Sequence, residues 1–418
     1  MRARSGRGGL FAFWWGSKGS GKIGSTTLLD AQSGGPTAVI NASLAGVIEA
    51  ARRSDQVGTI LGTRHGVEGI LAGEFVDLSA VDGDRLERLR RTPSAALGTS
   101  RHRQTDDEVE RTLDIFHELS ITIFTPIGGN DTAETALRLN ARALARGQDL
   151  RVVAIPKTID NDLPDMDHCP GYGSIARFIA LSVRDAAFDT LAMQQLYPVK
   201  IVEVMGRNAG WLTAAGSLAF DGQPELPRPV LCLPERPFQN IEQLTTLVGE
   251  RISRDGFVVL VVPETMKWVD GHSAAGETPD WIDAFGHKYF PGVGSALARE
   301  LSARLDLRAR YDKPGTIARM AMHAASEIDI IEASESGSEA VRRALAGETG
   351  RMVTITRRDD TPSYQVDYGT TPLERIANVE RLLDDDMIDA TGFDVTSRFA
   401  EWAGPLVGEP FAPYEVLV

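Results

Sequence analysis

Residues 151–162 read RVVAIPKTIDND, an apolar run that ends abruptly in a lysine, a threonine and two aspartates. A continuous apolar run such as 151–155 is typical of a strand that is buried on both faces. Polar residues directly after such a strand lie at the edge where ligands bind in open α/β sheets. This stretch therefore predicts a parallel sheet covered by helices, with a ligand site at 157–162.

The same pattern recurs on both sides of this stretch, where short strand-like runs alternate with helical segments. The alternation predicts an α/β fold whose largely parallel sheets are covered by helices on both faces. The predicted strands are residues 27–32, 121–127, 151–155, 199–204, 230–233 and 257–262, and the predicted helices include 42–53 and 132–145.

The composition excludes several classes of protein. The chain has 418 residues, 42% of them hydrophobic, which is enough for two or three domains with large cores. The net charge of −14 argues against nucleic acid or a membrane as partner. With only Cys169 and Cys232 present, a disulfide framework is excluded and a cytoplasmic location is expected. Residues 1–24 are predicted to form a flexible N-terminal extension.

The two aspartates of the opening stretch are spaced to act on one substrate. In an extended chain, residues i and i+2 face the same side, so Asp160 and Asp162 can point at one ligand. One carboxylate can take a proton from a hydroxyl group while the other holds Mg²⁺. Lys157 adds a positive charge for a phosphoryl group. The combination favours phosphoryl chemistry over the alternative of a solvated turn.

Two glycine-rich turns follow other predicted strands. Gly34-Gly35 and Gly128-Gly129 each stand between a strand and a helix, where a phosphate can approach the free N–H groups of the helix start. Asp131 adds a carboxylate that would either hold Mg²⁺ or repel a phosphate. A plain tight turn and simple helix capping stay open as alternatives for these segments.

Further candidate contacts lie at later strand ends. Gly206 allows close approach of a ligand, and Arg207 offers two donors to a phosphate. Glu235 follows the run at 230–233 and could contact sugar hydroxyl groups. Three more arginines could grip a phosphate or form ordinary surface ion pairs: Arg101, Arg310 and Arg319.

Taken in order, these motifs resemble those of the phosphofructokinase family. The resemblance implies two similar three-layer α/β domains with the active site in the cleft between them. It divides the chain into a donor-binding domain (25–172 plus 318–418) and a fructose 6-phosphate-binding domain (173–317). The motifs that carry it are Gly34-Gly35, Gly98-Thr-Ser-Arg101, Gly128-Gly129-Asn-Asp131, Pro156-Lys-Thr-Ile-Asp-Asn-Asp162, Met205-Gly206-Arg207 and Pro234-Glu235.

The resemblance also implies roles for individual residues. Asp160 matches the general base that deprotonates the 1-hydroxyl group of fructose 6-phosphate, and Asp162 matches a carboxylate that serves Mg²⁺. The catalytic groups around the transferring phosphoryl are expected at Lys157, Thr158, Arg101, Arg207 and the Gly35 backbone. The sugar-phosphate pocket is expected at Thr158, Asp160, Asp162, Met205, Gly206, Arg207, Glu235, Arg310 and Arg319.

Two positions bear on the identity of the phosphoryl donor. Family members that use ATP typically have glycine where Asp131 and Lys157 stand, whereas members that use pyrophosphate typically have aspartate and lysine. The Asp131 carboxylate fills and charges the space that a nucleotide α-phosphate needs, while Lys157 adds a compensating cation. The resemblance thus implies pyrophosphate as donor, bound at Gly35, Gly129, Asp131 and Lys157.

Three residues depart from the family pattern. Asn130 stands where most relatives carry a second aspartate associated with Mg²⁺, so the expected metal ligands are Asn130, Asp131 and Asp162. Thr316 stands where ATP-using relatives often carry histidine. In the family, some pocket residues cross from a neighbouring subunit, which implies a homodimer or homotetramer. Lys200 is expected as the substitute for an arginine that such a neighbour supplies.

The sequence therefore predicts an enzyme that moves a phosphoryl group reversibly from pyrophosphate to fructose 6-phosphate, giving fructose 1,6-bisphosphate and phosphate in glycolysis or gluconeogenesis. One alternative keeps the class but uses ATP as donor or sedoheptulose 7-phosphate as acceptor. A second is a weakly catalytic, sugar-phosphate-binding regulatory subunit. A dinucleotide-dependent oxidoreductase is disfavoured, because no Gly-x-Gly-x-x-Gly follows the first predicted strand.

Overall fold

The computed structural model describes residues 26–276, 281–282, 288–289, 292–358, 360–361 and 363–417, so the predicted extension at 1–24 lies outside the described residues. The strands are β1 (Thr26–Gln32), β2 (Val57–Thr63), β3 (Phe75–Asp77), β4 (Ile121–Gly128), β5 (Arg151–Pro156), β6 (Val199–Val204), β7 (Val230–Leu231), β8 (Val258–Pro263), β9 (Trp281–Ile282), β10 (Lys288–Tyr289), β11 (Ala309–Asp312), β12 (Arg351–Arg357) and β13 (Val366–Pro372). The α-helices are α1 (Ile40–Arg53), α2 (Gly66–Ala72), α3 (Gly83–Arg90), α4 (Asp106–Glu118), α5 (Asn130–Ala145), α6 (Tyr172–Met193), α7 (Trp211–Ala215), α8 (Ile241–Asp255), α9 (Val293–Leu305), α10 (Glu327–Leu345) and α11 (Ser397–Leu406).

The first sheet has seven strands in the order β13-β12-β5-β4-β1-β2-β3. Its central strands run parallel, while the outer pairs β2–β3 and β12–β13 are antiparallel. Apolar side chains of α4 and α5 cover one face, and those of α1 and α10 cover the other. Because both faces are covered, β5 is apolar almost throughout and buried, as its sequence predicts.

The second sheet has four parallel strands in the order β11-β6-β8-β7. Helices α6 and α7 pack on one face, and α8 and α9 pack on the other. The molecule is thus built from two three-layer α/β units with largely parallel sheets, which confirms the predicted fold class.

The chain passes more than once between the two sheets. Loop 157–171 leads from β5 of the first sheet to α6, which covers the second. After β13, the chain returns to the second sheet, where Phe399 and Trp402 of α11 join the apolar cluster of α6 and β6. The Leu231 N–H of β7 also donates to the Phe393 carbonyl oxygen at 2.8 Å. Residues 383–407, which fall in the predicted donor-binding domain, thus pack against the second sheet. The domain limits at 172 and 318 stay a prediction.

Among the residues that the structure describes, no helix has both the length and the apolar character needed to cross a membrane.

Candidate active site

A cavity of about 830 Å³ takes its walls from both sheets. The segments after β1, β4 and β5 form one side, and those after β6 and β8 form another. These are the carboxyl ends of parallel strands, where ligands bind in sheets of this kind. Most of the predicted site residues line this cavity: Gly35, Arg101, Gly129, Asn130, Asp131, Lys157, Thr158, Asp160, Asp162, Met205, Gly206, Arg207 and Arg319.

Loop 157–171 carries the two aspartates into the cavity. Its ends meet, because the Thr158 N–H donates to the Pro170 carbonyl oxygen at 3.2 Å. Thr158 Oγ1 donates to Asp162 Oδ1 at 3.0 Å and accepts the Asp160 N–H at 3.1 Å. These hydrogen bonds fix both aspartates through one threonine, so the two carboxylates act from one rigid turn.

The far end of the same loop is anchored by a buried, charged network. His168 lies between Asp167 Oδ2 at 2.8 Å and Glu332 Oε2 of α10 at 2.6 Å. Burial alone would lower the pKa of His168, but the two carboxylates outweigh burial and raise it to about 9. The imidazole is therefore a cation at neutral pH, and Arg357 pairs with Asp167 beside it at 3.2 Å. This network fixes the loop against α10 and β12.

Asp160 is the carboxyl group best prepared to accept a proton. Burial, and then the nearby Asp162 carboxylate, raise the pKa of Asp160 to about 7, although the Arg207 guanidinium acts in the opposite direction. Within the described part of the chain, Asp160 Oδ1 is buried and accepts no hydrogen bond. A base with a pKa near the working pH and a free oxygen suits proton abstraction from a hydroxyl group.

Cationic side chains converge on the turn after β1. A Cβ atom at Gly35 would lie 2.8 Å from Arg319 Nη1 and 3.8 Å from Arg101 Nη2, so any larger residue would occupy the space at the two guanidinium groups. Lys157 is buried and donates to the Gly35 carbonyl oxygen at 2.8 Å. Burial, and then the Arg319 charge, lower the pKa of Lys157 to about 8. Three cations around one backbone turn form a site for a small, multiply charged anion.

The start of α5 adds backbone donors and oxygen ligands to this wall. Helix α5 begins directly after Gly129, and no side chain of the described residues caps it, so its first N–H groups are available to an anion. Asn130 Oδ1 is buried and, within the same described ranges, has no hydrogen-bond donor. An unpaired amide oxygen close to Asp162 fits a hard divalent cation, which prefers oxygen ligands.

The described residues do not contain a ready-made cage of three or more His, Cys, Asp or Glu side chains for a metal ion. A cation held by Asn130, Asp131 and Asp162 would need further oxygen atoms from a ligand or from water, as is usual for Mg²⁺.

The wall from the second sheet is formed by the turn after β6. Met205 and Gly206 line the cavity, and Gly206 has a φ of 105°, a left-handed conformation that favours glycine. Arg207 follows and is exposed, while its carbonyl oxygen accepts from Thr265 Oγ1 at 2.7 Å. The turn thus presents backbone and a guanidinium group opposite Asp160.

Three predicted sugar-phosphate ligands lie outside the cavity. Glu235 Oε1 accepts the N–H groups of Gly210 at 2.8 Å and Leu383 at 2.9 Å, and burial raises the pKa of Glu235. Lys200 lies near the amino end of β6, where it pairs with Asp312 at 2.8 Å. Arg310 is exposed on the edge strand β11, with its guanidinium 4.8 Å from the ring centre of Tyr197. Their contact with a sugar phosphate stays a prediction.

Several cavity residues were not predicted from the sequence. Glu264 follows β8 directly, so the rule of reading the residue after each strand could have found it. Glu380 comes from the irregular segment after β13 and accepts from Asn208 Nδ2 at 2.9 Å, and no sequence pattern marks it. Arg103 and Glu134, which also line the cavity, form an ion pair.

The fold and the cavity together define a two-unit α/β protein with a site for a small anion between its sheets. The family described as phosphofructokinase matches residues 29–344, and the chain belongs to this family.

Similar proteins carry more specific names. A protein of Methylococcus capsulatus named pyrophosphate–fructose 6-phosphate 1-phosphotransferase is 37% identical over 392 residues, which cover 92% of each chain. A protein of the same name from Xanthomonas campestris is 38% identical over 386 residues, or 91% of each chain. The crystal structure of a pyrophosphate-dependent phosphofructokinase from Nitrosospira multiformis is 35% identical and superposes with a TM-score of 0.83, covering 94% of each chain.

Proposed function

We propose that this chain is an enzyme that transfers a phosphoryl group from pyrophosphate to the 1-hydroxyl group of fructose 6-phosphate. One observation carries the proposal: a single cavity holds Asp160, whose Oδ1 atom is buried and accepts no hydrogen bond from the described residues, and three cations that converge on Gly35. A base and an anion site in one cavity are what phosphoryl transfer to a hydroxyl group requires. The names of the relatives supply the identity of the two substrates.

The residues divide the reaction between them. Lys157 and Arg101 hold the donor through charge-assisted hydrogen bonds. Arg319, which was expected in the sugar-phosphate pocket, is assigned to the donor as well, because its guanidinium group lies at Gly35. Asp160 takes the proton of the 1-hydroxyl group as that oxygen attacks the nearer phosphorus atom. The bond from this phosphorus to the bridging oxygen breaks, and phosphate leaves with the bridging oxygen. Arg207 balances charge on the transferring group from the other side of the cavity.

Mg²⁺ fits the oxygen atoms at the start of α5. Asn130, Asp131 and Asp162 would hold it, and it would add positive charge beside the oxygens of the donor. Asn130 Oδ1 supports this assignment, because it is buried without a donor among the described residues. Asn130 contributes no charge, so we expect weaker binding of Mg²⁺ to the free enzyme than an aspartate would give.

The donor pocket favours pyrophosphate over ATP. Asp131 lines the cavity on the same wall as Lys157, so a carboxylate faces the space that a longer, nucleotide-bearing donor needs. The alternatives of ATP as donor and of a regulatory subunit have less support, since the relatives described above are named for pyrophosphate. Sedoheptulose 7-phosphate as acceptor likewise has no counterpart in these names.

We also propose that Arg310 serves the sugar site of a neighbouring subunit in a homodimer or homotetramer, whereas Lys200, predicted for a role of this kind, is buried and paired with Asp312 and Asp189. Arg310 is exposed on the edge strand β11, away from the cavity of its own chain. We expect D160N chains and R310A chains each to be inactive alone, and mixing the two tests this proposal. Recovered activity on mixing supports it, and no recovery contradicts it. A cytoplasmic location stays a prediction.

The direct test of the proposed function is formation of fructose 1,6-bisphosphate from fructose 6-phosphate and Mg²⁺, with pyrophosphate or ATP supplied separately. We expect turnover with pyrophosphate. Turnover with ATP alone would contradict our assignment of Asp131 and Lys157 while leaving Asp160 as the base. Absence of turnover with either donor would reject the proposed reaction.

A further inference from the structure

An ion pair lies in the cavity beyond the cations around Gly35. Arg103 Nη2 contacts Glu134 Oε1, and both residues line the cavity together with Arg101 and Asp131. Arg103 belongs to the segment between α3 and α4, whereas Glu134 belongs to α5. The ion pair therefore bridges two of the elements that form the donor wall.

The position of the pair can be placed relative to the inner cations. Arg103 is two residues after Arg101, and an extended chain advances by about 7 Å over two residues. Glu134 is three residues after Asp131, and a helix rises by about 4.5 Å over three residues. Asp131 and Glu134 also share one face of α5. Both partners of the pair thus follow, in their own segments, a residue assigned to the donor site, and they line the same cavity.

The segment that carries Arg103 is held by hydrogen bonds on both sides. The Arg103 segment is fixed before it by Ser100 Oγ, which donates to Glu68 Oε2 at 2.5 Å. It is fixed after it by Arg138 Nη1, which donates to the Gln104 carbonyl oxygen at 2.6 Å. The Glu134 side chain is 18% exposed, against 74% for Arg103. The carboxylate is therefore the less exposed partner, and water and salt screen its charge less than that of Arg103.

From this placement we propose that the Arg103–Glu134 pair limits the donor to two phosphoryl groups. A third phosphoryl group would extend from the Gly35 end toward Glu134, where a carboxylate repels it and holds the Arg103 cation in an ion pair. The proposal rests on the proposed function, since it concerns the length of the donor in the same cavity. Asp131 is assigned the exclusion of a nucleotide-bearing donor, and the Arg103–Glu134 pair would also exclude a donor with a third phosphoryl group.

Inorganic triphosphate is the probe, because it adds one phosphoryl group without a nucleoside. Transfer from it would break the bond from a terminal phosphorus to its bridging oxygen and form the bond to O1 of the sugar. Pyrophosphate would leave with the bridging oxygen, and the hydroxyl proton would pass to Asp160. The reaction is the same as with pyrophosphate except for the leaving group.

The experiment compares kcat/KM for inorganic triphosphate with kcat/KM for pyrophosphate in the full chain. In Glu134→Gln, the repulsion disappears and Arg103 becomes free to bind the third phosphoryl group. We expect the triphosphate-to-pyrophosphate ratio to rise by about tenfold, a change of about 1.4 kcal/mol that comes mainly from the freed Arg103 cation and in smaller part from the lost repulsion. Glu110→Gln is the matched control, because Glu110 also pairs with α5, through Arg142 at 2.8 Å, but lies outside the cavity.

The double variant R103Q/E134Q separates the effect of the freed Arg103 cation from the effect of removing the Glu134 carboxylate. We expect it to lose most of the gain of E134Q, because the freed cation is absent. An unchanged ratio in E134Q, an equal rise in E110Q, or a full gain in the double variant would overturn the inference. Wild-type turnover with pyrophosphate shows in the same experiment that such a failure concerns donor length alone, whereas no wild-type turnover would reject the proposed function. Equal thermal midpoints for the single variants exclude misfolding.

Discussion

The two ends of the cavity carry groups of opposite charge, yet burial disfavours the ionised form of both groups. At the Gly35 end, burial lowers the pKa of Lys157 to about 8. At the Asp160 end, burial raises the pKa of that carboxyl group to about 7. Removal from water penalises the ionised form whatever its sign. Lys157 at the first end would therefore be stabilised by a bound anion. Asp160 at the second end would be stabilised by a bound proton.

This difference assigns separate duties to the two ends. The cationic end is built to bind, because its side chains surround a backbone turn that a phosphate can approach. The acidic end is built to react, because its carboxyl group is poised between its two protonation states at neutral pH. Substitutions at the two ends should consequently affect different kinetic constants.

Asp160→Asn should have the largest effect. The amide cannot accept the hydroxyl proton, so we expect kcat to fall by about 10³-fold while pyrophosphate binding is kept. Steady-state kinetics and calorimetric titration with pyrophosphate measure the two effects. Asp165→Asn is the matched control, because Asp165 lies in the same loop but pairs with Arg375 at 2.5 Å. A comparable fall of kcat in D165N would point to loop conformation in place of base chemistry.

Lys157→Met should act mainly on the donor. It removes a buried cation next to the Gly35 carbonyl oxygen, and we expect kcat/KM for pyrophosphate to fall by about 10²-fold, since hydrogen bonds to charged groups contribute about 1.5–3 kcal/mol each. Binding of fructose 6-phosphate alone should change little. If K157M weakened only the binding of fructose 6-phosphate, the two ends would not have the separate roles assigned to them.

The double variant D131G/K157G should shift the preference for the donor. Without the Asp131 carboxylate, the space beyond the inner phosphates opens, and we expect the ratio of kcat/KM for ATP to that for pyrophosphate to rise at least about tenfold. Initial rates with each donor give the ratio. An unchanged ratio would show that these two residues do not set donor preference.

The pH dependence of kcat/KM for pyrophosphate should report the ionisation of both Asp160 and Lys157. Because Asp160 must be ionised to act as a base, kcat/KM should rise with pH up to about 7. Because Lys157 must be charged to attract the donor, kcat/KM for pyrophosphate should fall above about 8. In K157R, which stays charged, the fall should move to higher pH. A falling limb that is unaffected by K157R would assign it to another group.

The smallest expected effect is on stability. The pKa of Asp160 is raised in the folded protein from an ordinary value of 3.8 to about 7. The unfolded chain therefore ionises first as the pH rises, and stability is lost progressively between about pH 4 and pH 7. D160N removes this loss, so it should be more stable than the wild type at pH 8 by about 1–3 kcal/mol and equal to it near pH 3. Denaturant unfolding at the two pH values measures the difference.

Local sequence patterns were sufficient for the parts of the fold that are buried on both faces. The largely apolar runs at 121–127, 151–155 and 199–204 correspond to β4, β5 and β6, because a parallel strand that is covered on both faces is mostly apolar. Strands β2 (VGTILGT) and β12 and the antiparallel edge strand β13 were not predicted. They mix polar and apolar residues, since they carry glycine and threonine or lie at a partly exposed edge.

The candidate site was predictable where its residues follow a strand directly. Asp160 after β5, Asp131 after β4 and Arg207 after β6 all line the cavity for this reason. Glu380 was not predictable, because it reaches the cavity only through the tertiary path of an irregular segment. Lys200 lies near the start of β6, at the end of the strand away from the cavity, so spacing along the sequence was a poor guide to its place.

The return of the chain to the second sheet after β13 bears on how the protein is made. Asp160 and the rest of its loop leave the ribosome more than 200 residues before Phe399 and Trp402, which complete the apolar cluster around α6. Until then, α6 presents an uncovered apolar face, and the loop lacks Glu332 and Arg357, which anchor its far end. Nascent chains with such faces are prone to aggregate. The site is thus assembled late in synthesis, when α10, β12 and α11 close around segments made much earlier.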